Sequence, residues 1–347
     1  MRLISFCVWN LLLLIVICTT VENEDRKPNL QSTQASFEAT SAFSSLVNGS
    51  SKWSNHSITV AGSRDSGDKL NQLLLPIGLY VDDDDTLYIA DTGNNRVMEW
   101  KSGATVGRVV AGGNGFGSKM NQLFDPTDVI VDHESDSVII CDRRNTRIVQ
   151  WPLQGGTTGQ IIISNISCFG LAKDNAGFLY VTDTMNDTVR RWKMGDYTRE
   201  GIVVAGGDEI GGNLNQLDGP KFLFVDSEQS VYVTDWSDNH RVTKWTKGSK
   251  QSLIVVGGDN YIEGHIQLSD PRGIVVDRYG TVYVVENMFS LITEWPKGAT
   301  VGKIILNRPA YLEENWFNGP EDLSFDRNGN LYVVDSHNSL VRKFLLK

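Results

Sequence analysis

From residue 57 to the C-terminus, short apolar or alternating runs are separated by punctuation rich in Gly, Asn and Asp. The runs IGLYVD, TLYIAD, NRVMEW and GRVVAGG, between Ile77 and Gly113, state the pattern most fully. Their hydrophobic positions recur every second residue or run continuously, as in half-buried or buried strands. The punctuation leaves no room for long amphipathic helices. The aromatic residue closing the third run recurs at Trp100, Trp151, Trp192, Trp245, Trp295 and Phe344, in steps of 51, 41, 53, 50 and 49. A unit of four short strands in six copies predicts an all-β fold: a six-bladed β-propeller of four-stranded antiparallel blades, with strands a to d running outward.

The chain ends predict how the ring closes. The last unit (EDLSFD, NLYVVD, NSLVRKF) supplies three strands before Lys347, while SITVAGSRDSGDKLNQL at 57–73 matches GRVVAGGNGFGSKMNQL at 107–123. An N-terminal strand is therefore expected to complete the C-terminal blade and abolish free sheet edges.

The N-terminal part follows other rules. Residues 1–20 carry Arg2 and then an apolar run ending at Cys18, which reads as a secretory signal peptide, with a retained signal anchor as the alternative. Residues 21–56 are rich in Ser and Thr without a period, and read as a flexible stalk ahead of the propeller at 57–347. Sequons begin at Asn48, Asn55, Asn165 and Asn186, consistent with a secreted glycoprotein. With 32 Lys+Arg against 42 Asp+Glu the net charge is −10, which argues against nucleic acid as a partner. No second apolar stretch of membrane-spanning length follows the leader, and the chain is read as a monomer.

The units, aligned as PxGxxVD, LYVxD, xNxRVxxW and VVAGG, resemble the NHL-repeat family of six-bladed β-propellers over roughly residues 57–347. LYIADTGNNRVMEW (87–100) and VYVTDWSDNHRVTKW (231–245) carry the resemblance best. The third unit lacks the long NQLxxP approach, and Leu291 and Leu340 stand where Arg96, Arg147 and Arg241 stand in other units. The resemblance implies the fold; similar propellers serve as binding platforms and as enzymes, so function must come from the site.

In such a blade the d-to-a approach and the b-to-c turn share one face, here called the top. Its turns differ between units and are where recognition is expected. Trp236 and Phe289 occupy turn positions filled by smaller or polar residues elsewhere, and Arg143 and Arg144 form a basic pair. Together with His240 and Trp316 they are the candidate partner-binding residues, aromatic and Arg side chains being common interface anchors. A partner is expected over blades 4 to 6. The acids ending the b strands, Asp91, Asp142, Asp183, Asp235, Glu286 and Asp335, recur in all six units and read as caps for backbone N–H groups rather than as cation ligands. The Asp82–Asp85 run reads as a solvated a-to-b hairpin. Among the histidines, His240, His265 and His337 fall on top-face segments, but no histidine stands at a strand-a entry, and no metal or cofactor site is assigned. Cys141 replaces Ala90 at the end of strand b in blade 2, and Cys168 replaces Ile77 at the start of strand a in blade 3, so a disulfide between adjacent blades is expected, with two buried free thiols as the alternative. The reading is a secreted, non-enzymatic propeller that presents its top face to an extracellular protein or glycan. A metal-dependent hydrolase or lyase with its metal in the central channel is the alternative.

Overall fold

The structure, a computed structural model, describes residues 53–207, 209–258, 268–307 and 317–347. The leader at 1–20, most of the expected stalk, Asn48, the side chain of Asn55, His265 and Trp316 lie outside the described residues.

The described residues form six four-stranded antiparallel sheets. The inner strands, a, are Leu79–Val81, Pro126–Asp132, Cys168–Lys173, Pro220–Val225, Pro271–Val276 and Pro320–Phe325. Each contacts the next, and the sixth contacts the first, so the ring is closed. Five sheets are continuous in sequence. In the sixth, Trp53–Gly62 pairs with the last strand, Leu340–Leu346, as the closing strand d.

That strand begins at Trp53, ahead of the boundary drawn at residue 57. The Ser-rich sequence hides the start because only one of its residues is driven inward by apolar burial. Trp53 is buried, stacks on Phe325 at 5.8 Å, meets Tyr283 edge-on at 5.5 Å and donates its indole N–H to the Gly329 carbonyl.

The strand-c aromatics form the blade-to-blade core, as their recurrence implied: Trp100, Trp151, Trp192, Trp245, Trp295 and Phe344 are all buried. In five blades a polar partner satisfies the indole N–H, for example the Ala104 carbonyl for Trp100 and the Thr243 hydroxyl for Trp245.

The disulfide joins Cys141 to Cys168, with their Cα atoms 5.4 Å apart, and ties strand b of blade 2 to strand a of blade 3. Replacing both cysteines with alanine is expected to lower stability by about 3.5 kcal/mol, from the chain-entropy cost of a loop of this size. The measurement is the urea midpoint without reductant, and an unchanged midpoint would remove the bridge from the stability account.

The Asp82–Asp85 hairpin is less detached than its sequence suggested. Asp82 meets His133 of blade 2, while Asp83 and Asp85 pair with Arg327 and Lys343 of blade 6. The Asp83–Arg327 pair is solvent-exposed and contributes little, whereas Lys343 and Asp85 are more enclosed.

Candidate functional site

The acids that end the b strands are buried in all six blades. Asp142 is representative: it accepts hydrogen bonds from the Phe124 N–H at 2.7 Å, the Asn145 amide at 2.8 Å and the Arg147 Nε at 2.6 Å. Arg147 also donates to the carbonyls of Ser118, Lys119 and Gln122, clamping the approach loop. Arg96 and Arg241 repeat the arrangement. These carboxylates therefore cap backbone N–H groups of the approach segments in all six blades. Blades 3 and 6 supply the cation from two residues further along strand c: Arg190 lies 3.9 Å from Asp183 and Arg342 lies 2.6 Å from Asp335. A shift of two keeps the side chain on the same strand face.

Blade 5 differs. Leu291 and Thr293 occupy both cation positions, and Glu286 is held by the Ser269 N–H and hydroxyl and the Asp270 N–H. Burial pushes the Glu286 carboxyl up to about 7. Its stabilising protonated form is complete below the ordinary glutamate range and is lost as pH rises through 7. The E286Q variant is accordingly expected to melt above the wild type at pH 8, with the gap closing toward pH 4. A gap independent of pH would contradict this assignment.

Toward the axis, a register shift follows the entry proline in blades 2, 4, 5 and 6, placing one extra residue on strand a. The bulge turns two successive positions inward. At the deeper one, Gly78, Asp128, Gly170, Phe222, Gly273 and Asp322 alternate around the ring. A Cβ on Gly78 would lie 2.5 Å from Asp128 Oδ1, one on Gly170 2.5 Å from the Lys221 carbonyl, and one on Gly273 2.5 Å from Asp322 Oδ1. Asp128 accepts the N–H groups of Val129 and Leu171, and Asp322 those of Leu323 and Leu79, so each stitches its own strand to the following blade. Burial raises the Asp128 carboxyl to about 7; burial and the facing Asp128 raise Asp322 well above the usual carboxylate range. These oxygens are engaged by backbone donors. Among the described residues, no three His, Cys, Asp or Glu side chains converge as a metal site.

The outer position forms the top mouth of the channel: Ile77, Thr127 and Phe169 on one side, Lys221, Arg272 and Glu321 on the other. Cations and rings alternate here. Arg143 lies over Phe169 at 5.5 Å, Lys221 lies 5.2 Å from Phe169 and 3.5 Å from the Trp236 ring, and Arg272 lies 5.4 Å from Trp236. Arg272 is fixed by two bonds to Asp270, at 2.8 and 3.1 Å, and stands 3.4 Å from Glu321. The Trp236 indole N–H donates to Asp270, and Asn287 donates to the Pro320 carbonyl and to Glu321. Arg143 pairs with Asp125.

Of the residues singled out from the sequence, this cluster gathers Trp236 and Arg143. Arg144 turns outward, sharing Asp125 and lying over Phe124. Phe289 is 51% exposed beside exposed Met288, on the same face but outside the cluster. His240 holds the left-handed turn position, φ 43°, that Asn95 holds in blade 1, and its Nδ1 is buried without a hydrogen-bond partner. His337 is exposed. Asn165 and Asn186 are both exposed, and the Asn186 amide donates to Asp183 at 2.6 Å, as Asn94, Asn145, Asn239 and Asn338 do to their own acids. Sequence reasoning missed Phe169, Lys221, Asp270, Arg272 and Glu321. The available signal was the residue after the entry proline, which runs Lys, Arg, Glu in blades 4 to 6.

The opposite face carries a groove of about 1320 Å³ between the hairpins of blades 3 to 5. Its acids are spent locally: Asp174, Asp226 and Asp277 each accept N–H groups of their own hairpin turns.

The sequence profile of the NHL repeat matches residues 73–98 and 317–344, in the first and last blades. No curated protein matches the chain. Among solved structures it is similar to an auxiliary nutrient binding protein of Bacteroides thetaiotaomicron (TM-score 0.61, 15% identity, covering 83% of this chain and 76% of the other). It is also similar to a gluconolactonase of Xanthomonas campestris (0.59, 14%, 84% and 89%) and to a streptogramin B lyase (0.56, 12%, 84% and 98%). At these identities the likeness is one of fold.

Proposed function

We propose that this chain, an NHL-repeat propeller of six blades, is an extracellular, non-enzymatic platform that binds a protein partner across the top mouth of its channel. One observation carries the reading: five side chains from blades 2 to 5, Arg143, Phe169, Lys221, Trp236 and Arg272, form a continuous run of cations and rings at one opening. Exposed Met185, Met288 and Phe289 on neighbouring top-face turns supply apolar area at its edge, the composition of a protein interface. A glycan is the weaker choice because two cations already sit on the Trp236 ring, where a sugar would need a bare face.

The extracellular placement is supported by the leader sequence and by the disulfide, a bond that persists in oxidising compartments. No helix among the described residues is long and apolar enough to cross a membrane.

The test compares extracellular proteins retained by immobilised wild type with those retained by a Trp236→Ala, Phe289→Ala variant of unchanged melting temperature. A protein held by the first and lost by the second, with an affinity drop of at least tenfold for the purified pair, is the expected result. Equal retention by both, or metal-dependent lactone hydrolysis by the purified wild type, would replace the platform with another reading.

A further inference from the structure

Resting on the platform reading, we propose that Lys221 is a receptor for a carboxylate side chain of the protein partner. The cations at the mouth are not equivalent. Arg143 has Asp125, and Arg272 has Asp270 and Glu321. Among the described residues Lys221 has no carboxylate within ion-pairing distance and no hydrogen-bond acceptor for its ammonium group; its neighbours are the faces of Trp236 and Phe169. It is half-buried. An ammonium with three donors and no acceptor is the group an incoming anion satisfies best.

The charges around it leave room for one more negative group. Arg272 from blade 5 and Arg143 from blade 2 oppose the charge on Lys221, while Glu321 from blade 6 and Asp270 from the blade 5 approach favour it. Asp270 is committed to Arg272 by two hydrogen bonds, whereas Glu321 stands 3.4 Å from Arg272 with its Oε2 making no hydrogen bond. Burial, with Arg272 as the next cause, lowers the Lys221 amine to about 7. Above that pH the free protein carries a neutral amine, and a carboxylate must bring a proton with it. Affinity is then expected to fall about tenfold per pH unit above 7 and to level off below it.

The experiment uses the full chain with 13C-labelled lysine and follows the side-chain resonances by NMR from pH 5 to 11. The probe is N-acetylglutamate methylamide, with N-acetylglutamine methylamide as the neutral control and glucuronate as the glycan arm. One resonance, assigned by its absence in K221M, is expected to titrate near 7 and to move to higher pH with the glutamate probe alone. The wild-type titration stands by itself if K221M does not fold: all lysines titrating near 10.5 and none responding to the probe would overturn the proposal. An equal response to the glutamine control would also overturn it, and a stronger response to glucuronate would overturn its assignment to a protein partner. No partner is needed, so failure here leaves the platform to its own retention test.

Discussion

A chain lacking residues 53–62 is expected to lose its cooperative unfolding transition and to expose the unpaired edge of its last strand. Strand Trp53–Gly62 forms one side of the sixth sheet, from Trp53 opposite Leu346 to Gly62 opposite Leu340. Removing it opens the seam and bares the backbone groups of Leu340–Leu346, which then promote association. Trp53→Ala isolates the anchor: with the stack on Phe325 and the edge contact with Tyr283 gone, the loss is about 3–5 kcal/mol. Circular dichroism melts with light scattering measure both variants. A truncated chain that melts like the full chain would mean that the ring closes elsewhere.

The second large effect is expected at Arg147. Arg147→Met leaves Asp142, fully buried, without its cation and strips donors from the carbonyls of Ser118, Lys119 and Gln122. Breaking a buried pair from one side costs about 3–5 kcal/mol because a charge remains without compensation. Adding Asp142→Asn to that background is expected to restore part of the loss, since the amide needs no cation and its oxygen can still accept the Phe124 N–H. Urea unfolding of the two single variants and the double variant measures the coupling. Additive losses would show that Arg147 acts through the loop carbonyls alone.

Much of the architecture was legible because repetition amplifies weak signals. One alternating run of five residues is ambiguous, but six copies in register fix the blade, the ring closure and the positions that place Cys141 beside Cys168. The site was less legible for the same reason. Lys221, Arg272 and Glu321 share the repeat position after the entry proline, but its residue type changes from blade to blade, and that these side chains meet follows only from the convergence of the strands on an axis. Arg190 and Arg342 were missed because a repeat alignment compares single positions, whereas a strand treats residues two apart as facing the same way. Trp53 escaped because its burial depends on Tyr283 and Phe325, which are distant in sequence and have no local counterpart beside it.

The alternating layer inside the channel gives the ring a parity. Gly78, Gly170 and Gly273 each yield space to the following blade, which brings Asp128, Phe222 or Asp322. In this sense the six repeats are three couples, each made of a yielding blade and a filling one. A single blade transplanted, duplicated or deleted would set two fillers or two glycines side by side, producing a clash or a hole at the axis. Blades of this propeller should therefore be exchangeable by twos, and an enlarged ring built from its parts should accept eight blades sooner than seven.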